Sequence, residues 1–346
     1  MSRLLLVDGH AYAYRAFYAI RELRSPAGQP TNAIFGFVKM LAKLRAGVGA
    51  GAGQTPESGR KSDGAAWVAS HVLVIWDGGL SAARQALLPE YKAQRPELPA
   101  DLRVQLDGMV RFLGAAGVGS LCREGVEADD LIGGIATAAA ALGWEVVVAS
   151  ADKDFMQLVT RGSEGRGQRS EPGLRSSDLE PQAERTGWVG LVNPNDRMER
   201  IWGAAEVREK CGVWPRQVVD WLSLVGDAVD NVPGVAGVGV KTAARLLEQF
   251  GSVNELYQRL DEVASVRVRE ALRSAEAAVR RNQSLVRLDF EVAGAVTAAD
   301  LAGWAVGSAN WTGLAGMYRE WGFRGLLAEA EAAQVAAGRP AQSDLF

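Results

Sequence analysis

Histidine and cysteine are almost missing from this chain, with two of each in 346 residues. Cys122 and Cys211 stand apart, with no CxxC spacing and no neighbouring histidine, which argues against a disulfide framework or a zinc site and fits a reducing compartment, the cytoplasm. His10 and His71 belong to no serine or cysteine nucleophile pattern, so catalysis through imidazole is not expected. No uninterrupted apolar run approaches about 18 residues. The early run Leu4 to Val7 is broken by Asp8 and lacks a basic leader and a small-residue cleavage site, so neither membrane insertion nor export is expected. Charge of one sign is not in excess either: 38 basic and 41 acidic residues give a net −3. At 48% hydrophobic and 23% charged, the chain can bury one large core or two smaller ones.

What the chain does have is nine carboxylates in five short clusters. They are Asp8 in LLLVDG, Asp77 in VLVIWDG, Glu127, Asp129 and Asp130 in EADD, Asp152 and Asp154 in ADKD, and Asp227 and Asp230 in GDAVDN. A single Asp after a strand is ordinarily a turn former or a helix N-cap. Five clusters together are different, because so many gathered like charges need cations. Hard divalent ions take oxygen ligands, and two of them about 4 Å apart can clamp the attacking and leaving oxygens of a phosphodiester. The economical reading is a magnesium-loaded crevice. Setting those nine acids aside leaves 38 basic against 32 acidic residues, a mildly basic balance that permits a nucleic-acid partner.

The runs Arg3–Val7, Val72–Trp76 and Glu145–Ala149 read as continuous apolar strands, each followed by a helical stretch, which predicts an α/β core with a buried, mainly parallel sheet. Ligands collect beyond the carboxyl ends of such strands, where Asp8, Asp77, Asp152 and Asp154 all fall. EADD opens the helical run LIGGIATAAAAL, so its acids lie in or beside a first turn, with Glu127 and Asp130 able to face the same way. Between Ser81 and Gln105 a basic, proline-punctuated segment groups Arg84, Tyr91, Lys92 and Arg95. In VPGVAGVGVKTAARLL, Gly234, Gly237 and Gly239 allow close backbone approach. Lys241 and Thr242 there open a helix whose amino end attracts phosphate.

The runs LLLVDGHAYAYRAF, NAIFGFVKML, YKAQRPELPADLRVQL, GVEADDLIGGIA, ASADKDFMQLV and GDAVDNVPGVAGVGVKTAARLL resemble, in order and spacing, the 5′-nuclease domain of bacterial DNA polymerase I, of the flap endonuclease superfamily. The resemblance covers about Arg3 to Leu327. It implies a PIN-like α/β fold and a structure-specific, two-metal-ion 5′-3′ exonuclease and flap endonuclease serving replication and repair. Its substrates would be flapped or branched DNA and RNA–DNA junctions, bound without regard to sequence. Carried over by motif, Asp8, Asp77, Glu127 and Asp129 are the first metal's set, and Asp130, Asp152, Asp154, Asp227 and Asp230 the second's or its outer shell. The metal would be Mg2+, with Mn2+ as an alternative. Residues 80–107 would form a helical arch in which Arg84 and Lys92 meet the scissile phosphate, Tyr91 stacks on a base and Arg95 contacts DNA, while Arg15 steers a phosphate. Residues 232–250 would be a helix-turn-helix variant gripping duplex DNA through Gly234, Gly237, Gly239, Lys241 and Thr242, with K+ held by loop carbonyls.

By the same reading residues 1–192 are the nuclease core, 193–290 a helical subdomain, 291–333 a helical return to the core, and 334–346 a linker and tail. Two segments depart from the family pattern, Gly47 to Ala66 and Arg161 to Thr186; both are polar and glycine-rich and are expected to be disordered surface insertions. In the final QSDLF, Gln342, Leu345 and Phe346 resemble the short peptide by which bacterial replication proteins dock on the sliding clamp. A monomer working at the nucleoid is expected. Two other classes compete, a flap-binding replication accessory without turnover and a metal-dependent phosphatase or phosphotransferase on a related α/β sheet. The complete acid set disfavours the first, and the arch and glycine-rich element have no use in the second.

Overall fold

The structure, a computed structural model, describes residues 1–49, 66–162, 187–196 and 200–337. Among these, six strands form one sheet: β1 (Arg3–Asp8), β2 (His71–Trp76), β3 (Gly119–Cys122), β4 (Glu145–Ala149), β5 (Trp188–Val192) and β6 (Ile201–Trp202), in the order β3-β2-β1-β4-β5-β6. All pairs are parallel except β5 with β6. Helices α1 (Gly9–Ala19) and α2 (Asn32–Ala46) lie between β1 and β2, α3 (Ala82–Leu87) and α4 (Ala100–Ala115) between β2 and β3, and α5 (Ala128–Ala141) between β3 and β4. After the sheet come α6 (Ala204–Cys211), α7 (Val218–Val225), α8 (Val240–Phe250), α9 (Val253–Gln258), α10 (Val266–Val286), α11 (Ala298–Gly303), α12 (Trp311–Trp321) and α13 (Arg324–Ala337).

The unbroken apolar strands are explained by burial on both faces. Leu4 and Leu6, with Val146 and Val148, join a core built with α5, α7, α8 and α10, whereas Leu5 and Val7, with Val72, Val74 and Val147, join a second core with α1, α2, α4 and α12. Leu4 to Val7 are all fully buried. Each such side chain is worth roughly 1.5–3 kcal/mol relative to exposure. The chain runs outward from β1 through β2 to β3, then returns to the far side of β1 as β4. The strand order therefore reverses between β1 and β4, and a crevice opens there beyond their carboxyl ends. Asp8 closes β1, and Asp152 and Asp154 follow β4 at once.

Several expectations change. Three of the six strands, β3, β5 and β6, are not among the expected ones. β4 is followed by a 3₁₀ turn, Asp154–Leu158, rather than a long helix. The sheet continues past residue 192, because β6 pairs with β5. Most of 47–66 and 161–186 lies outside the described residues, but their edges are structured. Val48, 2% exposed, exchanges backbone hydrogen bonds with Trp67, and Arg161 donates to Ile201 O and stacks on Trp188. Gln342, Leu345 and Phe346 lie outside the described residues. In the stretch 80–107, α3 is followed by turns and then by the start of α4, a core helix that buries Leu102, Met109, Phe112 and Leu113. Among the described residues, no helix is long and apolar enough to cross a membrane, and both cysteines are free.

Candidate metal centre and active site

Asp8 sits where β1 turns into α1. Its side chain caps the helix by accepting from Ala11 N at 3.0 Å, and Ser150, from the end of β4, donates to its other oxygen at 3.0 Å. Asp77, just past β2, accepts from Ala128 N at 3.3 Å and donates its own N–H to His10 Nδ1. Opposite them the 3₁₀ turn presents Asp154, and the loop closed by reciprocal hydrogen bonds between Asp227 and Val232 presents Asp227 and Asp230. Oxygens of Asp154, Asp227 and Asp230 lie within 4.8 Å of one another, all three residues being buried. Acids separated by up to about 220 positions of chain thus share one rim.

Their titration records how close they are. Burial, with repulsion from Asp152 and Asp77, pushes Asp8 up to about 6 despite the hydrogen bonds from Ala11 and Ser150. Burial and then Asp152 raise Asp129 and Asp154 well above the usual carboxylate range. Asp152 is raised by burial and by Asp230 and Asp227, against the N–H of Asp154. Glu127 is instead depressed, because Lys92 and Arg84 outweigh the effect of burial. Asp154 Oδ1 is buried and has no hydrogen-bond partner in the structure. A set of hard oxygen donors, mutually repelling and with one lone pair unspent, fits a divalent cation of the Mg2+ or Mn2+ type.

The basic segment is folded down onto these acids. Lys92 Nζ pairs with Glu127 and lies 3.8 Å from Asp129 and 3.9 Å from Asp230, and Arg95 pairs with Asp230 at 2.6 Å. Lys92 is held by a left-handed backbone (φ 56°), its N–H bonded to Asp230 O, and Asn231 (φ 58°) answers by donating its side chain to Glu90 O. Two such non-glycine residues cost on the order of 1 kcal/mol or more each, which the ion pairs offset.

Four of the expected site residues are held by protein partners in the structure. Arg84, 6% exposed, grips Asp130 through two 2.7 Å hydrogen bonds, approaches Glu127 at 3.4 Å and donates to Arg287 O at 2.9 Å. Asp130 is spent on that fork and on Asp289 N at 2.8 Å, leaving no oxygen turned to a metal. The Tyr91 ring is buried against the core, its hydroxyl 3.3 Å from Glu127, and offers no face for a base in this conformation. Glu127 is likewise surrounded, by Ser81 N, Tyr91, Lys92 and Arg84. Arg15 is exposed on α1 and bonds Asn195.

The glycine-rich element behaves as its sequence requires. A Cβ on Gly234 would stand 2.0 Å from Val225 O, and Gly237 has φ +77°, so side chains are excluded at both. Gly239 caps α8, at whose amino end Lys241 is exposed and Thr242 half-buried. Residues that the sequence did not single out are Ser150, which holds Asp8, and Gln157 on the 3₁₀ turn. Their roles depend on which strand lies beside which, and no local signal carries that.

The raised acids set a stability profile for the metal-free protein. A carboxyl raised in the folded state binds its proton more tightly there. The Asp8 contribution is therefore complete below 3.8 and lost as pH rises through about 6, on the order of 3 kcal/mol. Glu127, depressed, works in the opposite sense, but Asp8, Asp129, Asp152 and Asp154 outnumber it. Thermal melts in chelator should show the midpoint rising as pH is lowered from about 7 to about 5, with saturating Mg2+ abolishing the trend. A flat profile in chelator would contradict the mutual repulsion.

A doubly covered parallel sheet whose switch point gathers carboxylates, bordered by cations able to meet phosphate, is the architecture of a metal-dependent nuclease. Two family profiles match the chain, "5′-3′ exonuclease, N-terminal resolvase-like domain" over residues 3–166 and "5′-3′ exonuclease, C-terminal SAM fold" over residues 213–306. The 5′-3′ exonuclease of Aquifex aeolicus is 32% identical over 262 residues, covering 76% of this chain and 74% of its own. DNA polymerase I of Pseudomonas aeruginosa is 36% identical over 293 residues, 84% of this chain but 27% of that polymerase. The chain thus spans about a quarter of the polymerase's length. Among solved structures, bacteriophage T5 5′-exonuclease with bound zinc ions superposes with a TM-score of 0.58 at 20% identity, covering 95% of this chain and 98% of that one. The catalytic core of Rad2 with a DNA substrate does so at 0.54 and 12%, covering 98% and 92%. The chain belongs to the 5′-3′ exonuclease family.

Proposed function

We propose that this protein hydrolyses phosphodiester bonds near the 5′ ends of flapped or branched DNA and of RNA–DNA junctions, using two or more divalent cations, Mg2+ in the cell and Mn2+ as a substitute. The observation that carries this reading is the buried Asp154, Asp227 and Asp230 cluster, with its unspent Asp154 oxygen, at the mouth of the β1/β4 crevice. These three would hold one ion, and Asp8, Asp77, Asp129 and Asp152 would hold another or the water around it. Bound there, such ions polarise a phosphodiester and make water a nucleophile at neutral pH. Lys92 and Arg95, now paired with the acids, re-pair with the phosphates that the substrate brings. Glu127 positions Lys92, and Asp130 positions Arg84.

The exposed amino end of α8, with Gly237 and Lys241, takes backbone phosphates of the duplex, and loop carbonyls nearby take K+. Arg15 reaches a further phosphate. Contacts of this kind read phosphate position rather than base edges, so binding is sequence-independent and weakens steeply with salt.

A labelled 5′-flap duplex with Mg2+, and with chelator as control, tests the reading. Metal-dependent release of the flap is expected; a flap that is bound and never cut would refute catalysis, and no binding would refute the substrate. The protein acts as a monomer at the nucleoid, and Gln342, Leu345 and Phe346 dock it on the sliding clamp, a reading supported by their sequence pattern. Removing residues 342–346 should abolish clamp pull-down and spare flap cleavage; persistent pull-down would end that part of the proposal.

A further inference from the structure

Four consecutive residues, the last of α10 and the three that follow it, each give a main-chain atom to a side chain at or beside the metal centre. Val286 O accepts from Gln157 Nε2 at 3.0 Å, Arg287 O from Arg84 at 2.9 Å, Leu288 N donates to Gln157 Oε1 at 3.2 Å, and Asp289 N donates to Asp130 at 2.8 Å. Gln157 takes two of the four connections and uses its second donor on Asp154 O at 2.9 Å. Its amide is therefore a three-way clamp. It fixes the 3₁₀ turn that carries Asp154 and ties that turn to the end of α10. One turn earlier Asn282 donates to Ser223 O at 3.1 Å and Pro233 O at 2.7 Å, gripping the glycine-rich element. The same helix thus touches the proposed duplex grip and the turn that carries Asp154.

We infer that Gln157 is a positioning residue for the metal centre. By locking the Asp154 main chain it aims the buried, unpartnered Asp154 oxygen at Asp227 and Asp230. A 3₁₀ turn has poor internal hydrogen-bond geometry and holds a side chain loosely unless it is anchored from outside. Gln157 supplies that anchor. Outer partners that orient metal ligands typically govern 10–100-fold in metal affinity. The inference rests on the metal reading of Asp154, Asp227 and Asp230.

The test is calorimetric titration of Mn2+ into the full chain without DNA, for wild type, Gln157→Met, Gln157→Glu and Asp154→Asn, followed by flap kinetics. Gln157→Met keeps the shape and removes every hydrogen bond. Gln157→Glu keeps the acceptor for Leu288 but cannot donate to Asp154 or Val286, and its extra negative charge would by Coulomb attraction alone tighten cation binding. Both variants should weaken Mn2+ about tenfold and lower kcat about tenfold with KM within twofold. Should one variant fail to fold, the other decides. A lowered melting temperature with unchanged Mn2+ affinity, or tighter binding by Gln157→Glu, would overturn the inference. Asp154→Asn separates the two levels: if it binds Mn2+ like wild type, the metal reading itself fails, whereas weak binding there with wild-type binding in both Gln157 variants defeats only the role of Gln157.

Discussion

Asp154→Asn should cut turnover on a 5′ flap about a thousandfold while making the metal-free protein more stable. Both halves come from one fact. Asp154 is buried, raised well above the ordinary range first by burial and then by Asp152, and leaves one oxygen without a partner. In the absence of a cation that arrangement costs free energy, because a charge is kept out of water beside like charges. An amide of the same shape removes the charge, so the melting temperature in chelator should rise. With metal the balance inverts: a lost ligand weakens the stabilisation of the developing charge, and about 4 kcal/mol of it is a factor of about a thousand. Flap affinity measured in Ca2+ should change little, since the proposed grip on the duplex lies on α8. Equal losses of turnover and affinity would instead mean that Asp154 maintains structure. Asp8→Ala should behave similarly in turnover, though it also loses the α1 cap.

Arg84→Met should destabilise the protein by about 3–5 kcal/mol, the usual effect of removing one partner of a buried ion pair. The guanidinium is 7% exposed, forks Asp130 and also meets Glu127 and Arg287 O, so its removal strands a buried carboxylate and a carbonyl together. Arg84→Lys should recover little, because an ammonium cannot reproduce the fork. The double variant Arg84→Met with Asp130→Leu should recover a large part of the loss, as an apolar pair of similar volume removes the unpaired charge. Urea denaturation of the three variants checks this. The competing role, implied by the family resemblance, is direct contact with the scissile phosphate. That role requires Arg84→Met to keep wild-type stability and lose only turnover.

The contrast between Arg84 and Lys92 marks where the sequence stops being readable. Both belong to one short basic segment, and nothing in the spacing tells which turns inward to a structural acid and which lies against Asp129 and Asp230. Asp129 and Asp130 pose the same problem: adjacent residues on a helix point about 100° apart, so one faces the rim and the other the Arg84 fork. Position along the chain was more informative. Asp8, Asp77, Asp152 and Asp154 had to fall at strand ends, because the apolar runs before them are buried on both faces. The strands that escaped notice have reasons of their own. β3 (GSLC) alternates exposed with half-buried positions, and β6 is two residues long. Ser150 and Gln157 act only through the adjacency of β1 with β4 and of the 3₁₀ turn with α10, which is tertiary information.

The central claim is that acids distant in the chain converge to hold a divalent cation. Anomalous scattering from crystals of the full chain soaked in Mn2+ measures this directly. A peak is expected within about 2.5 Å of carboxylate oxygens of Asp154, Asp227 and Asp230, with Asp8 and Asp152 on its border. Saturating Mn2+ that leaves this crevice without a peak, with Lys92 still seated among Glu127, Asp129 and Asp230, would contradict the account.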